Sequence, residues 1–220
     1  TYSTAHSVHL TGQAHELGVD GFLVVTPYYN KPPARGIVAH FKAISDATEL
    51  GIVVYNNVWI TQHDFSLETL QALAGIEKIV ALKDCTKDFK RLIDAVALAR
   101  DRYNVINCAD GLEVFGYMRG CSGFITTYGN FLGEWAVQMH LAGKAGDIDE
   151  AMRLAAWVRP LQDIINDVKR TRGEAQAISC WKACMDMVGL AGGALRLPHL
   201  PVDKDLRQTL DRTLRKMGRL

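Results

Sequence analysis

Five short apolar runs, each closed by a polar or aromatic residue and followed by helical periodicity, constrain this chain more than any other feature. They span Asp20 to Thr26, Gly51 to Asn56, Lys78 to Asp84, Val105 to Cys108 and Gly123 to Thr127. Strands alternating with helices at intervals of roughly 20–30 residues imply right-handed βαβ units and a parallel sheet. The Lys78 to Asp84 run holds four consecutive apolar residues, Ile79 to Leu82, the pattern of a strand buried on both faces. Helices are expected over Thr1–Leu17, with Val8, Leu10, Ala14 and Leu17 near one face and Gly18 as its stop, and over Arg35–Thr48, with Ile37, Val38, Phe41 and Ile44 as its stripe. Others are expected over Phe65–Ala74 with Ser66 as cap, Phe89–Arg100 and Glu113–Arg119. Beyond the fifth run the strand pattern stops, and Trp135–Ala142, Ile148–Asp167, Ala175–Val188 and Asp205–Met217 all have helical character. The expected organisation is a part with five βα units over residues 1–130 and a C-terminal helical segment over 131–220.

Composition removes several functions. The 220 residues are 48% hydrophobic, enough for a substantial core in one or two domains. A net charge of +1 without a basic block argues against nucleic acid. No apolar run approaches the ~18 residues of a membrane span, so no membrane partner is expected. The five cysteines are odd in number and lack a C-x-x-C pair, which argues against a disulfide framework or structural zinc and for a reducing, cytoplasmic setting. Cys180 and Cys184, four apart on a probable helix, are expected to be small buried hydrophobes. His6, His9 and His15 lack a completing carboxylate or cysteine and are expected to be exposed or capping rather than metal ligands. Neither G-x-G-x-x-G nor a P-loop links a strand to a helix, so no dinucleotide or nucleoside triphosphate is expected.

The chemistry gathers at the strand ends: Tyr28 and Tyr29, Tyr55, Lys83, Asp110, then Thr126 to Tyr128. Parallel α/β folds bind ligands on that side of the sheet. Lys83 ends an apolar strand, where burial disfavours an ammonium, and a neutral amine is a nucleophile toward carbonyls. Its plainer reading is a lysine that snorkels to water and pairs with Asp84. Tyr55 is either a core tyrosine or a proton carrier for a carbonyl held on the next strand, since adjacent strands lie about 5 Å apart. Tyr29 has a second reading as a surface or oligomer contact, and Asp110 as a helix cap.

Thr26-Pro27-Tyr28-Tyr29-Asn30-Lys31-Pro32, Val54-Tyr55-Asn56 and Val80-Ala81-Leu82-Lys83-Asp84 resemble, in order and spacing, the dihydrodipicolinate synthase / N-acetylneuraminate lyase family; Trp181-Lys182-Ala183 and Leu195-Arg196-Leu197-Pro198 are similar to its last segment. The resemblance implies a (β/α)8 TIM barrel, of which these would be strands 4–8 plus C-terminal helices, with about three βα units outside this numbering. It implies a lyase that forms a Schiff base with pyruvate or another 2-oxo acid, needs no cofactor or metal, and works as a homo-oligomer, dimer or tetramer. In that frame Lys83 forms the imine, Tyr55 is the general acid/base, Tyr29 is lent to a neighbouring subunit, and Asp110, Ile125 and Thr126 line the substrate pocket. Dihydrodipicolinate synthases carry an arginine five residues after the strand-end tyrosine; here the position is Ile60, with no arginine between Arg35 and Arg91. Thr126-Thr127-Tyr128-Gly129-Asn130 is more like sialic acid lyases and keto-deoxy sugar acid dehydratases. The expected activity is therefore aldol cleavage or condensation, or dehydration, of a 2-oxo acid, with a 3-deoxy sugar acid as the favoured kind. Dihydrodipicolinate synthase itself, or a non-catalytic 2-oxo-acid-binding relative, stands as the alternative.

Overall fold

The apolar run from Gly51 to Val54 continues through Asn56 as a six-residue strand, and the sheet extends from it on both sides. The structure, a computed structural model, describes residues 1–86 and 88–220. Lys87, expected to lie in a loop or at a helix end, is outside the described residues. The chain divides into two units, Thr1–Ile125 and Thr126–Leu220.

The first unit is α/β. Strands β1 (Gly21–Val25), β2 (Gly51–Asn56), β3 (Ile79–Asp84), β4 (Asn104–Asn107) and β5 (Gly123–Phe124) form one sheet in chain order. Every pairing is parallel. Between them run α1 (Thr4–Glu16), α2 (Ala34–Ser45), α3 (Val58–Thr61), α4 (Leu67–Ala74), α5 (Phe89–Ala99) and α6 (Glu113–Met118). The stripe expected on α2 is the one that is used: Ile37, Phe41 and Ile44 are fully buried against Ile52, Val54 and Leu82. Truncating a ring like that of Phe41 costs about 3–5 kcal/mol. Ser66 caps α4 as expected, its hydroxyl accepting from the Thr69 amide at 3.1 Å.

Two expectations need correction. The face of α1 that turns inward carries Ser7 and Thr11, whereas Leu10 and Leu17 are exposed. Val8 packs against the core as expected, and hydroxyls add contacts: Thr11 Oγ1 donates to Ser7 O at 2.8 Å, and Thr4 Oγ1 meets His40 Nδ1 at 2.9 Å. His15 Nδ1 similarly meets Thr48 Oγ1 at 2.9 Å. In β3, Val80 is 45% exposed rather than buried. Ile79 and Ala81 face the consecutive residues Ile52 and Val53, so Val80 is an extra residue in the ladder, a β-bulge.

Both ends of β3 are tied by guanidinium groups. Below it, Arg102 donates to four carbonyls, those of Ala74 (2.8 Å), Ile76 (2.7 Å), Glu77 (3.1 Å) and Ile79 (3.1 Å). Above it, Arg91 of α5 pairs with Asp84, whose side chain is fully buried. Arg91 also pairs with Asp64 at 2.9 Å and donates to Phe65 O from Nη2 at 2.9 Å.

The second unit is helical: a 3₁₀ turn (Thr127–Asn130), then α7 (Gly133–Ala145), α8 (Ile148–Arg172), α9 (Glu174–Met187) and α10 (Lys204–Lys216). Asp147 and Asp203 cap α8 and α10 by accepting from Glu150 N (3.0 Å) and Leu206 N (2.8 Å). Cys180 and Cys184 are fully buried, as expected, and burial pushes their thiols up to about 11 and about 12. Among the described residues no helix is long and apolar enough to cross a membrane.

Candidate active site

Strand alternation sorts the ends of β2, β3 and β4 into two sets. Val54, Leu82 and Val105 turn to the helix-covered face, and with them Asn56 and Asp84, joined by Asn56 Nδ2 donating to Asp84 Oδ1 at 3.0 Å. Tyr55 and Lys83 occupy the opposite face. The bulge sets their alignment: counted straight from Ile79 beside Ile52, Lys83 would face Asn56, but the extra residue brings it opposite Tyr55. Gly51 makes room, since a Cβ there would lie 3.0 Å from the nearest Val80 methyl.

The Lys83 amine sits over the Tyr55 ring, 3.8 Å from its centroid. The residue is 8% exposed, and among the described residues no carboxylate pairs with it. Asp84, the partner of the plainer reading, is engaged with Arg91 on the other face. Lys83 is therefore an amine held on an aromatic face, free of an ion pair.

The Tyr55 hydroxyl accepts from Asn57 Nδ2 at 3.0 Å and lies 3.6 Å from Cys85 Sγ and 3.9 Å from Cys108 Sγ. Burial, reinforced by the two neighbouring sulfurs, raises its pKa above the ordinary phenol value, so it is protonated at neutral pH. A hydrogen bond from Cys108 lowers the Cys85 thiol, with Tyr55 and the Lys83 charge adding to the effect. The same bond, with burial, raises Cys108.

The other expected residues are placed less centrally. Asp110 lies on the turn between β4 and α6, near enough to Cys85 for its charge to act on that thiol. It does not cap α6, whose N-cap is Leu112. Ile125 continues β5, its amide donating to Asn107 O at 2.9 Å, and is 40% exposed. Thr126 caps the 3₁₀ turn, its hydroxyl accepting from Tyr128 N at 3.3 Å. Tyr29 is on the loop after β1 and is 82% exposed, so the structure does not bring it to Lys83 or Tyr55. Ile60 is 52% exposed on α3, beside the exposed Trp59.

Cys85, Cys108 and Asn57 are functional neighbours that sequence reasoning missed. Their signal was period two: Asn57 and Cys85 lie two residues beyond Tyr55 and Lys83, and Cys108 two beyond Ile106, the ladder partner of Lys83.

The model of the dihydrodipicolinate synthetase family matches residues 1–217. The chain belongs to that family. It is thereby a class I, Schiff-base lyase of aldolase type. The 4-hydroxy-tetrahydrodipicolinate synthase 2 of Halalkalibacterium halodurans is 31% identical over 208 residues, covering 94% of this chain and 69% of the relative. The chloride-inhibited dihydrodipicolinate synthase of Acinetobacter baumannii, solved in complex with pyruvate, superposes with a TM-score of 0.90 at 29% identity, covering 100% of this chain and 73% of that one. A dihydrodipicolinate synthase variant described as the first monomeric one superposes with a TM-score of 0.89 at 29% identity, covering 100% and 72%. These names favour dihydrodipicolinate synthase, the alternative in the sequence reading, over the broader 2-oxo acid lyase placed first.

Proposed function

We propose that this family member forms an imine between Lys83 and pyruvate and joins the resulting enamine to an aldehyde acceptor, or runs that bond-making step in reverse. The observation that carries the reading is the buried, carboxylate-free Lys83 amine 3.8 Å from the centre of the Tyr55 ring. The amine attacks the 2-oxo carbon, and the carbinolamine loses water to give a protonated imine. That imine draws electrons from the adjacent carbon, which gives up a proton or a carbon–carbon bond to leave an enamine. Tyr55 enters protonated, gives its proton to the departing hydroxyl and recovers it later, with Asn57 holding its oxygen in place. Asp110, Ile125 and Thr126 are assigned to the substrate pocket.

The shared name of the relatives makes formation of 4-hydroxy-tetrahydrodipicolinate the first activity to assay. A second reading rests on Ile60: an apolar, half-exposed residue supplies no bidentate partner for an acceptor's carboxylate, which favours cleavage or dehydration of a 2-oxo-3-deoxy sugar acid. For architecture, we propose that β1–β5 are strands 4–8 of a (β/α)8 barrel occupying residues 1–130, with 131–220 as the appended helical segment. Among the described residues β1 pairs only with β2, and its unpaired backbone edge supports a further strand beside it. The exposure of Tyr29 supports a homo-oligomer, dimer or tetramer, in which a neighbouring site takes up that ring.

The test is borohydride reduction in the presence of pyruvate, with the adduct mapped by peptide mass. Label is expected on Lys83. Lys42 and Lys78 are expected to stay unlabelled, since they pair with Asp46 and Glu49, and the latter bond raises the Lys78 pKa. Lys83→Arg should keep the fold and abolish label and turnover, because a guanidinium stays charged. Tyr55→Phe should slow turnover by roughly 10²–10⁴-fold. Label on another lysine, or full activity in Lys83→Arg, would refute the reading.

A further inference from the structure

Cys85 and Cys108 follow directly on β3 and β4, and the main chain carries the ladder past the strand ends to join them. Asp84 faces Asn107 in the parallel register, and Cys108 N donates to Asp84 O at 3.0 Å. The next residues along, Cys85 and Cys108, are therefore side by side. Neighbouring strands lie about 4.7–4.9 Å apart, inside the window of about 4.4–6.8 Å between the Cα atoms of a disulfide. The two thiols share a face, since both approach the Tyr55 hydroxyl, at 3.6 and 3.9 Å. The Cys85 thiol also donates to the carbonyl oxygen of Cys108 at 3.5 Å. Both are partly exposed, whereas Cys121, Cys180 and Cys184 are buried. Of the two thiols, Cys85 is lowered and Cys108 raised, each chiefly through the other, so Cys85 is the one that ionises more readily.

We propose that Cys85 and Cys108 are a peroxide-sensitive thiol pair that closes into a disulfide and thereby slows the enzyme through Tyr55. Cys85 gives up its proton and the thiolate attacks one oxygen of a hydroperoxide; the O–O bond breaks, the other oxygen takes up that proton and leaves as water or an alcohol, and Cys85 is left as a sulfenic acid. The Cys108 sulfur then attacks that sulfur, the S–O bond breaks, and the hydroxyl departs as water with the Cys108 proton. Two electrons pass from the two sulfurs to the peroxide, and a thiol reductant reverses the change. Closure draws the sulfurs to about 2.05 Å and removes the S–H groups beside Tyr55. The hydroxyl keeps Asn57 and loses its sulfur contacts. The effect on turnover rests on the reading of Tyr55 as proton carrier; the formation of the disulfide does not.

The experiment treats the purified full-length protein with hydrogen peroxide, alkylates the remaining thiols and maps the peptides by mass. The expected result is a Cys85–Cys108 link, a loss of two hydrogens and of two titratable thiols per chain, and restoration by dithiothreitol. Turnover of the oxidised protein should fall on the order of 10²-fold, the scale of a catalytic group displaced by about an ångström. In Cys108→Ser the link cannot form, and Cys85 should instead be captured as a sulfenic acid by dimedone. An unchanged thiol titre, a link between other cysteines, or a link that leaves turnover unaltered would overturn the proposal. Borohydride trapping of pyruvate on the reduced protein is run alongside. Its failure would count against the imine at Lys83 and leave the thiol pair, read by mass alone, standing.

Discussion

Replacing Arg91 with alanine should be among the most damaging single changes available in the first unit. The Arg91 side chain is 10% exposed and that of Asp84 is not exposed at all, so their pairing is a buried one. Without the guanidinium, Asp84 Oδ2 loses its partner. Oδ1 keeps the donors Asn56 Nδ2 and Thr86 N, each at 3.0 Å. Phe65 O loses donors at 2.9 and 3.1 Å. Asp64, 36% exposed in its side chain, is rehydrated and contributes little. Leaving one partner of a buried ion pair unmatched costs about 3–5 kcal/mol. Urea unfolding followed by circular dichroism should show it as a midpoint lowered by roughly 1–5 M, for slopes of about 1–3 kcal/mol/M. The double variant Asp84→Asn/Arg91→Met removes both charges and should recover part of the loss, so the two changes are strongly non-additive. An Arg91→Ala variant within about 1 kcal/mol of the parent, or simple additivity in the double variant, would refute the reasoning.

Gly51→Ala should cost about 1 kcal/mol by crowding Val80, and adding Val80→Ala should return most of it; equal loss in both variants, read by thermal unfolding, would contradict the bulge argument. His40 is 3% exposed and burial lowers its pKa below 6.5, so below that pH the unfolded chain binds more protons than the folded one. Its contribution is complete above pH 6.5 and is lost as pH falls through the folded value; a His40→Gln variant should show a flatter stability–pH curve there in urea titrations from pH 7.5 to 5. Ile60→Arg should lower KM for a carboxylate-bearing acceptor by roughly tenfold, as a charge-assisted bond would, and steady-state kinetics with and without that carboxylate check it.

Where the sequence carried its own punctuation, the fold was legible. β2 runs from Gly51 to Asn56 as expected, because a glycine opens an apolar run that ends on a polar pair. The lysine at the end of β3 and the tyrosine beside it were legible for the same reason, since parallel pairing aligns strand ends. The fifth strand was expected over Gly123–Thr127 but has only two residues, Gly123–Phe124, because Thr126 turns the backbone into a 3₁₀ cap. The four-residue α3 is too short to show any period. The inward face of α1 was legible only at Val8, because Leu10 and Leu17 are exposed and hydroxyl–imidazole bonds form where apolar residues were sought. The Val80 bulge leaves no mark in a run of four apolar residues, yet it decides what Lys83 meets. Counting cysteines overlooked Cys85 and Cys108, because residues far apart in sequence become neighbours only once strand register is known.

The ties at the two ends of β3 have a consequence for how unevenly this unit can breathe. Arg102 grips the entry to the strand through four carbonyls, and Arg91 grips its exit through Asp84. Both arginines belong to α5 and the turn that follows it, so strand and helix are clipped into one body at two points. Amides of Ala81 to Asp84 should then exchange with solvent only through the rarest, most global openings, while the loop bearing Tyr29 exchanges freely. The nucleophile would thus be carried by the stiffest segment of the chain, and adjustment to different acceptors would fall to its loops.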